Sequence, residues 1–160
     1  DSMPARRAVL ALALGLAAAS PVAAEDDEEG YYYPQVGSEE VFDRALAETP
    51  RADRAVRVGF VTQVTKQQFE QAYPPRFALF AKGSEAHELI VVALDDEVFA
   101  TLQRARAVMA QLSASARSTQ FFVENDLAAV ATFYDMLKIL GFRTLTISDG
   151  RDWSHRVLFR

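Results

Sequence analysis

The chain contains no cysteine. Disulfides, thiolate metal sites and cysteine nucleophiles are therefore excluded together, and the fold must rest on its core. Glycine is sparse, with 7 residues in 160. Gly83 and Gly150 stand isolated, no Gly-rich loop precedes a helix with a lysine, and nothing matches Gly-x-Ser-x-Gly. Phosphate-cradling loops and the nucleophile elbow are thus absent. Basic charge is also in deficit: 17 Lys and Arg against 22 Asp and Glu leave a formal net charge of −5, which argues against nucleic acid or anionic lipid as a main partner. There is no repeat at a solenoid period and no low-complexity tract beyond one acidic run.

What is present begins with an export pattern. Asp1 and Ser2 precede Met3 and read as a cloning remnant. Arg6-Arg7 then form a positive region, Ala8 to Ala19 a small apolar run, and Val22-Ala23-Ala24 a small-residue cleavage site, so residues 3–24 are expected to be a signal peptide cut after Ala24. The run is shorter than the roughly 20 residues a membrane span needs, so no stable anchor is expected after cleavage. The residues flanking Arg6-Arg7 fit a twin-arginine signal poorly, so export in the unfolded state is expected and no cofactor is implied. The expected location is the periplasm.

Residues 25–37 read as an N-terminal arm. Glu25 to Glu29 (EDDEE) lacks the spaced ligands and turn glycine of a calcium loop and reads as solvated. Tyr31-Tyr32-Tyr33-Pro34 follows; aromatics bury large area at low entropic cost, so the run is expected to lie against the domain, the alternative being an arm that docks on a partner.

Residues 38–160 read as one α+β domain. Ser38 is placed as the N-cap of a short helix, Val56 to Val64 as a first strand by its alternation, and Thr65 to Ala72 as a short helix. Arg76 to Lys82 and Glu88 to Leu94 form a hairpin whose second strand, apolar on both faces, is central. Asp95 or Asp96 is expected to cap a helix with a stripe Val98, Leu102, Ala105, Met109 and Leu112, ending near Ser113. Asn125 or Asp126 opens a second long helix, with Leu127, Val130, Tyr134 and Leu137 in its stripe, and Phe133, Met136, Ile139 and Leu140 widen its apolar surface enough to suggest enclosure by the domain or a shared subunit face. Gly141 closes it in left-handed conformation. Arg143 to Ser148 and Trp153 to Arg160 are the last strands, joined through Asp149-Gly150, with the final strand at an edge. The expected architecture is two-layered, with about five largely antiparallel strands and two long helices on one face.

The densest set of reactive groups is the last hairpin: Ser148, Asp149, Arg151, Asp152, Trp153 and His155. Asp149 and Asp152 beside His155 could act as a general base or partial metal site, and Arg151 with Trp153 could hold an anionic or aromatic ligand. The spacing matches no metal or triad motif, and Asp-Gly has a turn-forming role of its own. Asp95 to Glu97 at a strand end and the Ser84/His87 pair are explained more simply as a helix cap and a turn.

The runs Tyr31-Tyr32-Tyr33-Pro34, Tyr73-Pro74-Pro75-Arg76-Phe77, Ile90 to Ala110 and Leu140 to His155 resemble a family of small exported bacterial proteins of unknown function, sometimes labelled molybdopterin-guanine dinucleotide biosynthesis protein A. The label would imply a molybdenum-cofactor-related role, but the resemblance assigns no catalytic residues. Two functions are therefore expected. One is a non-enzymatic module that binds a protein partner or forms a homodimer, with Tyr31, Tyr32, Tyr33, Arg151 and Trp153 as contacts; the other is a small-molecule or metal-assisted enzyme using Asp149, Asp152 and His155.

Overall fold

The computed structural model describes residues 35–46, 50–127 and 132–160. The order of elements is β1 (Ser38–Phe42), α1 (Arg54–Phe69), β2 (Phe77–Lys82), β3 (Glu88–Ala93), α2 (Leu102–Arg117), α3 (Gln120–Glu124), α4 (Phe133–Ile139), β4 (Thr144–Ser148) and β5 (Ser154–Phe159). The strands form one five-stranded sheet in the order β1-β5-β4-β3-β2.

The fold is α+β, but the sheet is mixed rather than largely antiparallel. β2/β3 and β4/β5 pair antiparallel, as hairpins must, while β3/β4 and β1/β5 pair parallel. The parallel β3/β4 pair follows from its connection: α2, α3 and α4 carry the chain back to the starting end before β4 begins. β3 is interior as expected, with Leu89, Ile90 and Val91 at most 2 % exposed.

Two elements exchange type relative to the sequence reading. Residues 38–42 form a strand, not a helix, because Ser38 pairs beside His155 and Phe42 beside Phe159, and long-range pairing overrides the local capping signal. Residues 56–64 belong to α1, not to a strand. Asp53 caps that helix by accepting from the Val56 N–H at 3.0 Å, and its buried side chains Arg57, Phe60, Val64 and Gln68 follow a helical stripe. The valine alternation misleads because Val58 is exposed and Thr62 donates back to the Val58 carbonyl. The total of five strands stands because one error cancels the other.

Smaller corrections have equally local causes. α2 starts at a Thr101 cap rather than at Asp95 or Asp96; Asp95 instead accepts from the Glu97 N–H and pairs with Arg76. It continues past Ser113, whose hydroxyl donates back to the Met109 carbonyl. Asn125 and Asp126 end α3 instead of opening a long helix. The seven-residue α4 is opened by Thr132 and Asp135 in a reciprocal capping box. Val130 lies outside the described residues. β5 is interior, flanked by β4 and β1, and its loop from β4 spans residues 149–153 because the register closes at Ser148 and Ser154.

The core is one cluster. Phe60 and Val64 of α1, Val108, Leu112 and Ala116 of α2, Phe122 of α3, and Phe133, Met136 and Leu137 of α4 meet Leu79, Leu89, Val91, Leu145, Ile147 and Val157 from one sheet face. The apolar breadth expected around residue 137 is thus absorbed by the domain itself.

Arg57 is the unusual member of this interior, 3 % exposed. Its guanidinium donates to the Glu85 carbonyl through Nε (3.1 Å) and Nη2 (2.8 Å), and through Nη1 to the carbonyls of Leu140 (3.1 Å) and Ala52 (3.3 Å). Gly141 makes room for it: the residue sits at φ +82°, and a Cβ there would lie 2.9 Å from Nη1. Removing the guanidinium leaves three carbonyls without these donors, at about 1–3 kcal/mol for each buried group. Arg57→Met is accordingly expected to destabilise by about 3 kcal/mol or more in urea unfolding, and Gly141→Ala by about 1–3 kcal/mol through backbone strain and crowding of Nη1.

Candidate functional site

The β4–β5 loop owes its shape to one carboxylate. Asp149 Oδ1 accepts from the main-chain N–H groups of Arg151 (2.9 Å), Asp152 (3.0 Å) and Trp153 (2.9 Å). Desolvation pushes its carboxyl pKa up, but the N–H donors of Arg151, Trp153 and Asp152 together outweigh that and hold it below the usual carboxylate value. Ser148 closes the loop from inside, donating to the Trp153 carbonyl and accepting from the Gly150 N–H.

The loop separates the side chains that the sequence places close together. Arg151 reaches sideways to Asp96 at 2.7 Å, with both partners largely exposed, and Asp152 is exposed. Trp153 is 42 % exposed; it stacks on His155 with ring centroids 6.4 Å apart and leans on Phe99 at 5.9 Å. Tyr31, Tyr32 and Tyr33 lie outside the described residues. Among the described residues no group of three or more His, Asp or Glu side chains could hold a metal ion.

His155 points instead toward β1. Its Nδ1 lies 2.7 Å from Ser38 Oγ, and its Nε2 lies 3.4 Å from Glu40 Oε1. The Tyr134 hydroxyl of α4 donates to that same Glu40 oxygen at 3.0 Å. Ser38, Glu40 and Tyr134 escape a sequence reading because β1 is 117 residues from His155 and carries a helix-cap signal. Chemically the row joins a hydroxyl, an imidazole and a carboxylate, but it lines neither the cavity beside Gly59 nor the one beside Tyr73. What the row does in the fold is join β1, β5 and α4, assisted by edge-to-face contacts among Phe42, Tyr134 and Phe159. The other histidine is structural too, since His87 Nδ1 lies 3.0 Å from the Gly141 carbonyl, away from Ser84.

A cavity of about 320 Å³ lies between α1 and α3. Val56, Gly59, Phe60 and Phe121 give it an apolar wall, and Gln63, Thr119, Gln120 and Glu124 a polar one. The Gln63 side chain fixes the mouth by accepting from the Gln120 N–H at 2.8 Å, and Gln120 in turn donates to Glu124 at 2.6 Å. Gly59 matters most: a Cβ placed there would meet only Gln63 Nε2, at 3.9 Å, so nothing in the fold requires a glycine. No sequence motif marks this cavity, because it exists only when 54–69 is helical.

The chain defines an α+β domain of mixed sheet topology in which no described helix is long and apolar enough to cross a membrane. No family model, curated protein or solved structure matches it, so the function rests on its own geometry.

Burial, followed by the charge and hydrogen bond of Glu40, pushes the Tyr134 phenol pKa up to about 12. A phenol raised above its unfolded value near 10 contributes stability that is complete below pH 10 and is lost as pH rises through about 12. Ultraviolet titration should therefore show one late tyrosine among the five in the sequence, and Tyr134→Phe should remove that late step.

Proposed function

We propose that the protein is an exported, periplasmic binding domain whose groove between α1 and α3 takes a bulky apolar side chain from a peptide segment of a protein partner. The observation that carries this reading is Gly59. In a helix interior glycine costs about 1 kcal/mol relative to alanine, and here the cost returns no turn, close packing or left-handed backbone. Its effect is to keep the groove floor open beside Phe60 and Phe121.

Two further features suit a peptide occupant. The volume matches the lower end of ligand sites, about 300 Å³, room for one large side chain rather than a cofactor. The polar side is made of Gln63, Gln120 and Glu124 around a buried Thr119, and the two side-chain amides suit the donors and acceptors of a peptide main chain. Export to the periplasm is supported by the Arg6-Arg7, Ala8 to Ala19 and Val22-Ala23-Ala24 pattern. The enzymatic alternative draws less from the geometry, since Asp149 is engaged with its own loop and His155 faces β1.

Selection of displayed random peptides tests the groove directly. The wild-type domain should enrich sequences with an aromatic or leucine anchor. Gly59→Leu, filling the floor, should weaken those peptides about tenfold or more, the equivalent of burying one apolar side chain. Gly59→Ala should raise unfolding free energy by about 0.5–1 kcal/mol. Failure to enrich any anchored peptide, or equal binding by Gly59→Leu, would overturn the assignment.

A further inference from the structure

The segment leading into α3 is laid along α1 in a fixed direction, and that direction gives the groove two unlike ends. Gln67 donates through Nε2 to Ser118 Oγ at 2.9 Å, and one turn back along α1 the Gln63 Oε1 accepts from the Gln120 N–H at 2.8 Å. From Ser118 onward the chain therefore runs antiparallel to α1, toward Ala55. Residues 67, 63, 59 and 55 of α1 recur at intervals of four and share one helix face. The first two carry bridging amides, and the third is Gly59, which has no side chain to bridge with. The groove opens where the bridges stop.

The Gln63–Gln120 contact closes one end. At the other end stand Ala55 and Val56 from α1 and Glu124 from α3, one turn beyond Gln120. Glu124 is the one charged side chain among the described residues that line the groove. It is exposed, its Oε1 accepts from Gln120 Nε2 at 2.6 Å, and among the described residues no cation pairs with it. Arg54, next to Ala55 in the chain, is engaged through Nε with the Ser84 carbonyl at 3.0 Å. Asp53 adds a second carboxylate near this end, where it caps the Val56 N–H. One end of the groove is thus neutral amide, and the other is acidic.

We propose, on the reading of the groove as a peptide site, that Glu124 sets its specificity: the partner segment carries lysine or arginine one or two residues from its apolar anchor, on the side that leaves past Ala55. An anchor seated over Gly59 is about one helical turn, roughly 5.4 Å, from Ala55 and Val56. An extended peptide rises about 3.3 Å per residue, so one or two residues cover that distance. There the carboxylate meets an ammonium or guanidinium, while an acidic flank meets like charge. An ion pair this exposed changes affinity by about two- to fivefold at low salt. Glu124 therefore discriminates among anchored segments, and the apolar anchor holds them.

Displayed random peptides selected on the full-length wild type, Glu124→Gln and Glu124→Lys test this, with each enriched peptide aligned on its anchor. The wild type should favour lysine or arginine within two positions on one side of the anchor. Glu124→Gln should keep the anchor and lose that preference, and Glu124→Lys should exchange it for aspartate or glutamate. The amide of Glu124→Gln still accepts from Gln120, so the walls of the groove are preserved. In fluorescence anisotropy, replacing the basic residue of an enriched peptide with glutamine should weaken wild-type binding about two- to fivefold at low salt and leave binding by Glu124→Gln unchanged. Anchored peptides without a basic preference beside the anchor would overturn the inference and leave the groove reading standing. So would a basic preference that survives Glu124→Gln or spreads over every position, the pattern of general attraction to a chain of net charge −5. If no anchored peptide is enriched, the groove reading fails and this inference falls with it.

Discussion

One buried guanidinium reaches three separate segments of the chain at once. Arg57 leaves α1 in the first half of the helix and ends among the carbonyls of Glu85, Leu140 and Ala52. These are the β2–β3 turn, the C-terminal end of α4, and the lead-in to α1. A cation suits the second of these in particular, because the last carbonyls of a helix carry its negative end and lack partners of their own. Charge-assisted bonds to main chain are also stronger than neutral ones. The position of α1 follows, and with it the groove formed against α3. Gly141 is a consequence of the same constraint: the helix stop needs a left-handed residue, and the guanidinium leaves no space for a side chain there.

The opposite edge of the sheet is held differently. β1 meets only β5, and its attachment combines main-chain pairing with the Ser38, His155, Glu40 and Tyr134 row and the aromatic packing of Phe42. Its partners are drawn from the far end of the chain, so loop-closure entropy opposes its docking until the rest of the sheet exists. Glu39 and Glu40 also place charge on this exposed edge, which discourages pairing with another sheet. The histidine that the sequence presents as the best candidate for chemistry thus serves first to fix a late-joining strand.

Legibility in the sequence divided along the same line. β2, β3, β4 and β5 could be read because each is a compact apolar run bounded by glycine or proline turns, and Gly141 could be read because a helix stop leaves a local signature. β1 and α1 could not, since both depend on distant partners. Ser38 is a good cap in isolation but finds His155 instead, and the valines of α1 alternate by coincidence while Arg57, Phe60, Val64 and Gln68 carry the true periodicity. The parallel pairings were hidden for the same reason, because strand direction across the sheet is set by the connection through α2, α3 and α4. The last hairpin divides in the same way: Asp149 binds its own loop, whereas the partners of Arg151, Trp153 and His155 come from the segment after β3 and from β1.

Arg57 and Gly59, two residues apart on α1, show how closely the fold and the groove are coupled. A helix places such neighbours about 200° apart, so the same turn that buries the guanidinium presents Gly59 on the side facing α3. Polar burial at Arg57 fixes the rotation of α1 about its axis, because slipping the helix by one residue would withdraw the guanidinium from all three carbonyls. Fixing that rotation keeps the backbone of Gly59, rather than Val58, at the groove floor. Hydrophobic packing alone would tolerate small rotations of α1 at modest cost; the directional hydrogen bonds of Arg57 do not. The shape of the groove is therefore set by a residue that does not line it.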